Sequence, residues 1–189
     1  MIRDLIAQGI KTVSWKIKLF TLKIRHGNRI VFKWNDRIAW SVKVRINGRG
    51  KVSFGENIEL RENVILNVSD GGYIEIGDRV FLNDGCMINA RERVVIGADT
   101  MFGQSVKVYD HDHDYRSNNF KTDFKCEEIL INRCVWVCSD SIILKGCTIG
   151  DKSVIAAATI VRECVEPNTL YYTKRVCENK QVKVSSQEI

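Results

Sequence analysis

The chain has 189 residues, of which 44% are hydrophobic, and its formal net charge is +6. This length fits one domain of ordinary size, and the hydrophobic content is enough for a buried core, which excludes disorder as the default. One proline and the absence of a Gly/Ser tract argue against two domains joined by a flexible linker.

The first predicted element is an amphipathic helix in the basic N-terminal quarter, where residues 1–51 hold 13 Lys or Arg against two Asp. Apolar residues at helical spacing form one stripe: Ile2, Ile6, Ile10, Val13, Ile17, Phe20 and Ile24. Lysines flank this stripe and make it too charged to span a bilayer. We expect the helix to pack on the domain or a neighbouring subunit, or to lie on an anionic membrane surface. No nucleic-acid-binding module accompanies the charge, so we expect no nucleic acid partner.

Beyond the helix, we expect residues 28–51 to form strands that cap or begin the next unit, which has a period of six. Aliphatic or Phe residues recur at every sixth position in four runs: Phe54, Leu60, Leu66; Ile76, Leu82, Ile88; Ile96, Phe102, Val108; and Ile131, Val137, Ile143, Ile149, Ile155, Val161. Four residues after most of these stands a second residue that is small or β-branched. A period of six fits neither a helix nor an ordinary strand. It predicts a solenoid in which three hexads form one triangular coil.

We expect about five coils, with both residues of each hexad pointing inward: 54–71, 76–93, 96–109, 131–148 and 149–166. Residues 109–130 interrupt the period and are predicted to loop out between coils. The resulting organisation is a helix with capping strands at 1–50, a solenoid at 51–176 and a tail at 177–189.

The hexads resemble the left-handed β-helix of the hexapeptide-repeat acyltransferases, a family with galactoside and maltose O-acetyltransferases and enzymes that modify surface polysaccharides. The resemblance covers about residues 50–176 and is most specific at VWVCSDSIILKGCTIGDKSVIAAATIV, residues 135–161. It implies an all-β fold, a left-handed parallel β-helix with hexapeptide repeats. It also implies a homotrimer, with acetyl-coenzyme A as acyl donor. Separately, we expect no metal, for the reason given below.

The segment VYDHDHDYR, residues 108–116, holds two of the three histidines and is the main candidate for chemistry. From its composition alone it could be an ordinary polar loop, a metal site or the source of a general base. A metal site needs further ligands, and the remaining histidine, His26, lies outside the repeats. A general base suits acyl transfer, because imidazole titrates near neutral pH and can remove the acceptor's proton.

The resemblance implies that His111 is the catalytic base, because it stands where the galactoside and maltose acetyltransferases carry theirs. His113 is the second candidate. Asn83 matches an acceptor-binding asparagine, and we expect Asp110 and Asp112 to contact the acceptor. An aspartate of this segment, Asp114 included, is alternatively expected to orient an imidazole. The family's coenzyme A site matches Trp136, Ser139, Ala157 and Arg175. We expect a cation at Lys174 or Arg175 to meet the nucleotide phosphates.

Three departures from the family pattern fall in the coenzyme A region. Cys138 replaces the glycine of VWIG, AAA at 156–158 replaces GAG, and YYTKRV at 171–176 lacks the glycine and proline of the usual closing turn. We expect no catalytic role for Cys138, because nothing adjacent activates its thiol. Cys86 and Cys147 fall in the inward small-residue position and are predicted to be core residues.

The expected function is acetyl transfer from acetyl-coenzyme A to a hydroxyl or amine of a sugar or sugar intermediate in surface polysaccharide biosynthesis. Two alternatives stay open: a serine acetyltransferase-like enzyme, and a catalytically idle scaffold or binding module. A zinc enzyme like the γ-class carbonic anhydrases is disfavoured. Seven cysteines, an odd number, favour free thiols in a reducing compartment, so we expect a cytoplasmic location.

Overall fold

A computed structural model describes the backbone of residues 2–174 and the side chains of residues 11–174. Arg175 and the predicted tail at 177–189 lie outside the described residues. The chain begins with the helix α1 (Ile2–His26), a short 3-10 turn (Gly27–Arg29) follows, and nearly all the remaining elements are short strands.

Three parallel sheets form the faces of a triangular solenoid. Sheet A contains β1 (Ile30–Val31), β4 (Lys51–Phe54), β7 (Tyr73–Ile76), β10 (Arg93–Ile96), β15 (Ile129–Ile131) and β18 (Thr148–Ile149). Sheet B contains β2 (Arg37–Ile38), β5 (Glu59–Leu60), β8 (Phe81–Leu82), β11 (Met101–Phe102), β16 (Trp136–Val137), β19 (Val154–Ile155) and β21 (Leu170–Tyr171). Sheet C contains β3 (Lys43–Ile46), β6 (Ile65–Val68), β9 (Met87–Ala90), β12 (Lys107–Tyr109), β17 (Ile142–Leu144) and β20 (Ile160–Val161). The chain visits sheets A, B and C in turn, so each set of three strands is one coil.

The hexad pattern correctly predicts the core. Every residue of the four hexad runs is buried, and so are most of the second residues, including Cys86 and Cys147. Asp70 and Glu92, where the spacing slips, are exposed. Three of the hydroxyl residues in the second position donate to a backbone carbonyl at 2.9 Å: Thr100 to Asn132, Ser141 to Ala156, and Ser153 to Glu166. Burial raises the pKa of the Cys86 and Cys147 thiols to about 11, which fits core residues rather than nucleophiles.

The solenoid begins earlier than the hexads indicate, with six coils rather than five. Its first coil consists of β1, β2 and β3, and these strands pair in parallel with those of the second coil. Ile38 and Val44 keep the six-residue spacing, but the buried Ile30 lies eight residues before Ile38. That longer corner breaks the period, which is why the pattern does not reveal this coil.

Helix α1 packs on the first coil with the face opposite to the predicted stripe. Leu19 and Leu22 are buried, and the Nε2 atom of buried His26 lies 3.2 Å from the Val44 carbonyl oxygen. The stripe residues Val13, Ile17, Phe20 and Ile24 are exposed, whereas the side chains of Ile2, Ile6 and Ile10 lie outside the described residues. Within the described part of the chain, no helix is long and apolar enough to cross a membrane.

Candidate active site

The predicted loop at 109–130 contains a hairpin that leaves the solenoid where sheet C passes to sheet A. Its strands are β13 (His111–His113) and β14 (Phe124–Cys126), which pair antiparallel with His111 opposite Cys126 and His113 opposite Phe124. The hairpin begins two residues after β12 and returns to β15. Both histidines therefore sit on a strand anchored directly to the solenoid wall.

Asp110, between β12 and the hairpin, has a fully buried side chain. Its carboxylate accepts hydrogen bonds from the backbone N–H of Arg91, at 2.9 and 3.0 Å, and of Glu92, at 2.8 Å. Arg91 and Glu92 form the equivalent corner of the preceding coil. The carboxylate is thus held in the wall, which differs from the expected contact with an acceptor.

The imidazole of His111 is the remaining partner of this carboxylate. Its Nδ1 atom lies 2.8 Å from Asp110 Oδ1, and 19% of its side chain is exposed. Since a carboxylate can only accept, Nδ1 carries the proton in the neutral ring and Nε2 carries the free lone pair. A base oriented by a buried carboxylate is an arrangement that suits general-base catalysis.

His113 lies further out on the hairpin and is exposed. Its Nδ1 atom lies 2.7 Å from the carbonyl oxygen of Phe120, a residue of the hairpin loop. The same tautomer argument therefore applies to His113, but its partner is a loop carbonyl rather than a buried carboxylate. His113 is held less rigidly by the solenoid than His111.

Phe124 and Arg91 are two residues of this site that the sequence does not reveal. The Phe124 ring lies 5.5 Å from the His111 ring and 4.3 Å from the His113 ring, measured between centroids. The Arg91 guanidinium carbon lies 3.3 Å from the centre of the same ring. Positions 91, 111 and 124 share no sequence spacing, because the stacking of coils places Arg91 beside the start of the hairpin and the hairpin pairing adds Phe124.

The two other aspartates of the segment face away from the imidazoles. Asp112 is exposed and, as the residue between the two histidines, lies on the opposite face of the strand. Asp114 is bound by Lys125 at 3.1 Å, and this hydrogen bond lowers the pKa of the Asp114 carboxyl. Asp110 is therefore the aspartate of the segment that contacts His111.

The residues expected to bind coenzyme A lie at a different corner, where sheet B passes to sheet C. Trp136 is an outward residue of β16 and is half exposed, and the exposed Ala157 follows β19. Ser139 Oγ accepts from the Gln104 N–H at 3.1 Å, and the exposed Lys174 follows β21. These positions form one column along the last two coils and the final strand, β21.

Asn83 belongs to the same B–C corner, two coils before Trp136. It directly follows β8, and its Oδ1 atom accepts from the Asp84 N–H at 2.8 Å. This corner and the hairpin lie at opposite ends of the sheet C strands. One subunit therefore does not bring Asn83 and His111 together.

Comparison with known proteins identifies the family. No family model matches the chain. Over 135 residues it is 30% identical to the Escherichia coli (strain K12) protein named "Putative lipopolysaccharide biosynthesis O-acetyl transferase WbbJ", covering 66% of this chain and 69% of that relative. The chain belongs to the hexapeptide-repeat acyltransferases. It is thus an acyltransferase, as the sequence predicts.

Solved structures of this acyltransferase family confirm the left-handed parallel β-helix. AntD, an N-acyltransferase from Bacillus cereus in complex with dTDP and 3-hydroxybutyryl-CoA, matches with a TM-score of 0.70 and 19% identity, over 87% of this chain and 88% of its own. A hexapeptide-repeat containing acetyltransferase of Vibrio cholerae, complexed with acetyl-coenzyme A, matches with a TM-score of 0.52 and 21% identity, over 87% and 79%.

Two of the departures from the family pattern at the B–C corner affect the backbone conformation of Ala158 and the pKa of the Cys138 thiol. Ala158, at the second glycine position of GAG, has a φ of 54°, in the left-handed region that glycine adopts most easily. Burial raises the pKa of the Cys138 thiol, which disfavours the nucleophilic thiolate.

Among residues 11–174, no group of three or more His, Cys, Asp or Glu side chains is arranged to hold a metal ion.

Proposed function

We propose that the protein transfers an acetyl group from acetyl-coenzyme A to a hydroxyl or amine of a sugar or sugar intermediate in surface polysaccharide biosynthesis. The observation that carries this proposal is the contact of 2.8 Å between His111 Nδ1 and the buried Asp110 carboxylate. The names of the relatives support the substrate classes, since WbbJ is named for lipopolysaccharide and AntD was solved with dTDP and an acyl-coenzyme A.

The chemistry begins at the unprotonated Nε2 atom of His111. This atom removes the proton of the acceptor hydroxyl or amine while the acceptor oxygen or nitrogen attacks the thioester carbonyl carbon. The resulting imidazolium is stabilised by the negative Asp110 carboxylate. The tetrahedral intermediate then collapses: the new C–O or C–N bond is kept and the C–S bond breaks. The proton passes from Nε2 to the departing thiolate.

We assign donor binding to the B–C corner. The flat face of Trp136, the small Ala157 and the polar Ser139 offer a surface on which an extended pantetheine arm can lie close to the backbone. Lys174 supplies a cation for the nucleotide phosphates. Arg175 is assigned the same role, although it lies outside the described residues, and Asn83 is assigned to the acceptor.

We also propose the homotrimer that the family resemblance implies, and the separation of these two corners supports a site shared between subunits. The hairpin base His111 and the B–C corner lie at opposite ends of sheet C, so a complete site requires the hairpin of one subunit and the B–C corner of the next. Large apolar side chains that point outward from sheets B and C support such packing, among them Met101, Trp136 and Ile160, each at least 40% exposed.

The free cysteines of the described chain support a reducing, cytoplasmic location.

The decisive experiment compares His111→Ala with His113→Ala. Both variants are assayed by thiol release from acetyl-coenzyme A with a panel of hydroxyl and amino sugars, free and nucleotide-linked. We expect His111→Ala to lower kcat by roughly 10²-fold or more, because it removes the base, while His113→Ala retains most activity. Full activity of His111→Ala would refute the assignment of the base.

Calorimetric titration with acetyl-coenzyme A tests the donor assignment separately from the acceptor. Binding to the wild type and to His111→Ala is expected, because the base and the donor corner are separate. If acetyl-coenzyme A does not bind at all, the altered B–C corner instead indicates a catalytically idle scaffold.

A further inference from the structure

Helix α1 has two apolar faces, and the described chain covers only one of them. Leu19 and Leu22 are at most 5% exposed against the first coil. On the opposite face, the exposed fractions are 58% for Val13, 49% for Ile17, 56% for Phe20 and 70% for Ile24. These four residues, at spacings of four, three and four, form a continuous outer stripe. An exposed stripe of this kind marks an interaction surface.

The charges around the outer stripe indicate what covers it. Between Asp4 and Asp36 the sequence has seven Lys or Arg and no acidic residue. At 100° per residue, Lys16 and Lys23 border the outer stripe on one side, and Arg25 borders it on the other. A lysine or arginine in this position can extend its charged end to the level of anionic headgroups while its stem lies along apolar surface.

Aromatic side chains extend the same surface beyond the helix. Trp34 and Trp40 of the first coil are 55% and 59% exposed. Trp34 lines a surface cleft with Lys16, and Trp40 lines another with Lys11, so they lie on the two sides of the helix. Tryptophan is enriched at membrane–water interfaces because its ring is apolar and its N–H is polar.

We propose that the outer stripe of α1 docks the protein on an anionic lipid bilayer, with the stripe at the boundary between headgroups and acyl chains. Pairing with the same helix of a second copy would instead bring two basic segments together. A bilayer offers apolar contact for the stripe and negative charge for both of its borders. This docking does not depend on the proposed catalytic role.

Sedimentation with lipid vesicles tests the docking with the full chain and no enzymatic substrate. We expect the wild type to bind vesicles of phosphatidylcholine with about 30% phosphatidylglycerol, and to bind pure phosphatidylcholine roughly tenfold less. Raising NaCl from about 0.1 M to about 1 M, where charges are screened within roughly 3 Å, is expected to weaken the binding.

Two pairs of substitutions separate the apolar and the electrostatic contributions. The variant Ile17→Ser/Phe20→Ser removes apolar contact, and Lys16→Gln/Lys23→Gln removes charge. Each is expected to lower partitioning to the anionic vesicles by roughly tenfold or more. The matched controls, Tyr115→Ser and Lys121→Gln/Lys152→Gln, change exposed residues elsewhere and should bind as the wild type does.

Three outcomes would overturn the proposal. The first is wild-type protein that does not sediment with anionic vesicles, and the second is a stripe variant that binds as well as the wild type. The third is a folded stripe variant whose mass by light scattering shows loss of an oligomer, since a second copy of the chain would then cover the stripe. Thermal unfolding of every variant shows whether it is folded.

Discussion

At the scale of single residues, the Asp110 carboxylate connects the fold to the proposed chemistry. It accepts hydrogen bonds from backbone N–H groups at the corner of the preceding coil, and it also contacts the Nδ1 atom of His111. Asp70 makes the first kind of contact without the second, because it accepts from the Arg49 N–H at 2.8 Å and no histidine adjoins it in sequence. Comparing the two aspartates therefore distinguishes a role in stabilising the corner, which both have, from a role in orienting an imidazole, which Asp110 has in addition.

Replacing Asp110 by Asn tests its positioning role. The amide keeps only one acceptor oxygen, so it cannot serve both the corner N–H groups and the His111 ring; that ring loses its fixed tautomer, and we expect kcat to fall by roughly 10²-fold or more. The KM for acetyl-coenzyme A should stay near the wild-type value, and Asp110→Glu should restore part of kcat. The control Asp70→Asn should retain activity. Equal kcat for wild type and folded Asp110→Asn would contradict the role.

The sequence places His111 in the correct context but cannot choose its aspartate. The segment offers three candidates within five residues, and only burial distinguishes them. Burial of Asp110 depends on backbone N–H groups 18 and 19 residues earlier, which the coil geometry brings into register. Arg91 and Phe124 cannot be predicted as site residues from the sequence either, because only the folded coils and hairpin bring them to His111. The catalytic role of His111 itself stays a prediction.

At the scale of elements, the hexads predict the strands well because each hexad repeats the same inward positions. The first coil and the orientation of α1 are harder. The face of α1 that packs includes the polar His26 and the amphipathic Lys18, whose Nζ donates to the Trp40 carbonyl at 2.8 Å. The outer stripe consists only of Val, Ile and Phe, so hydrophobicity alone selects the wrong face for packing.

His26 makes the packing of α1 sensitive to pH. Burial lowers its pKa below the ordinary value, and the nearby Arg25 and Arg29 add to this, while the hydrogen bond to Val44 opposes it. Its Nδ1 is buried without a hydrogen-bond partner among the described residues. A group with a lowered folded-state pKa stabilises the fold above its unfolded pKa, about 6.5 for histidine, and this stability is lost as pH falls below it.

We therefore expect acidification from pH about 7.5 to about 5 to destabilise the wild type more than His26→Gln. Glutamine keeps an N–H donor for the Val44 carbonyl but does not titrate. Urea unfolding midpoints at the two pH values measure the difference. Parallel shifts of both proteins would show that His26 does not contribute to the pH dependence.

At the scale of the whole molecule, our proposal places the site between subunits rather than within one subunit. His111 lies at one end of the sheet C strands, and Asn83, Ser139 and Ala157 lie at the other. The sequence contains the residues of both corners, but their separation appears only once the coils are folded. An active protein with this geometry requires the hairpin of one subunit beside the B–C corner of another.

Two inactive variants should consequently restore each other. His111→Ala removes the base. Ala157→Trp blocks the corner assigned to the acyl donor, and because Ala157 is exposed, the larger side chain does not disturb the core. In a mixed trimer a site works where intact His111 meets intact Ala157, which holds for one of its three sites, so about one third of the sites in tandem-purified trimers should be active. Coexpression with two different tags, tandem purification and thiol-release assays measure this recovery. As a control, His111→Ala is coexpressed with the double variant His111→Ala/Ala157→Trp, in which no site has a base and no activity should return. If the first mixture forms folded trimers but stays inactive, the site does not lie between subunits.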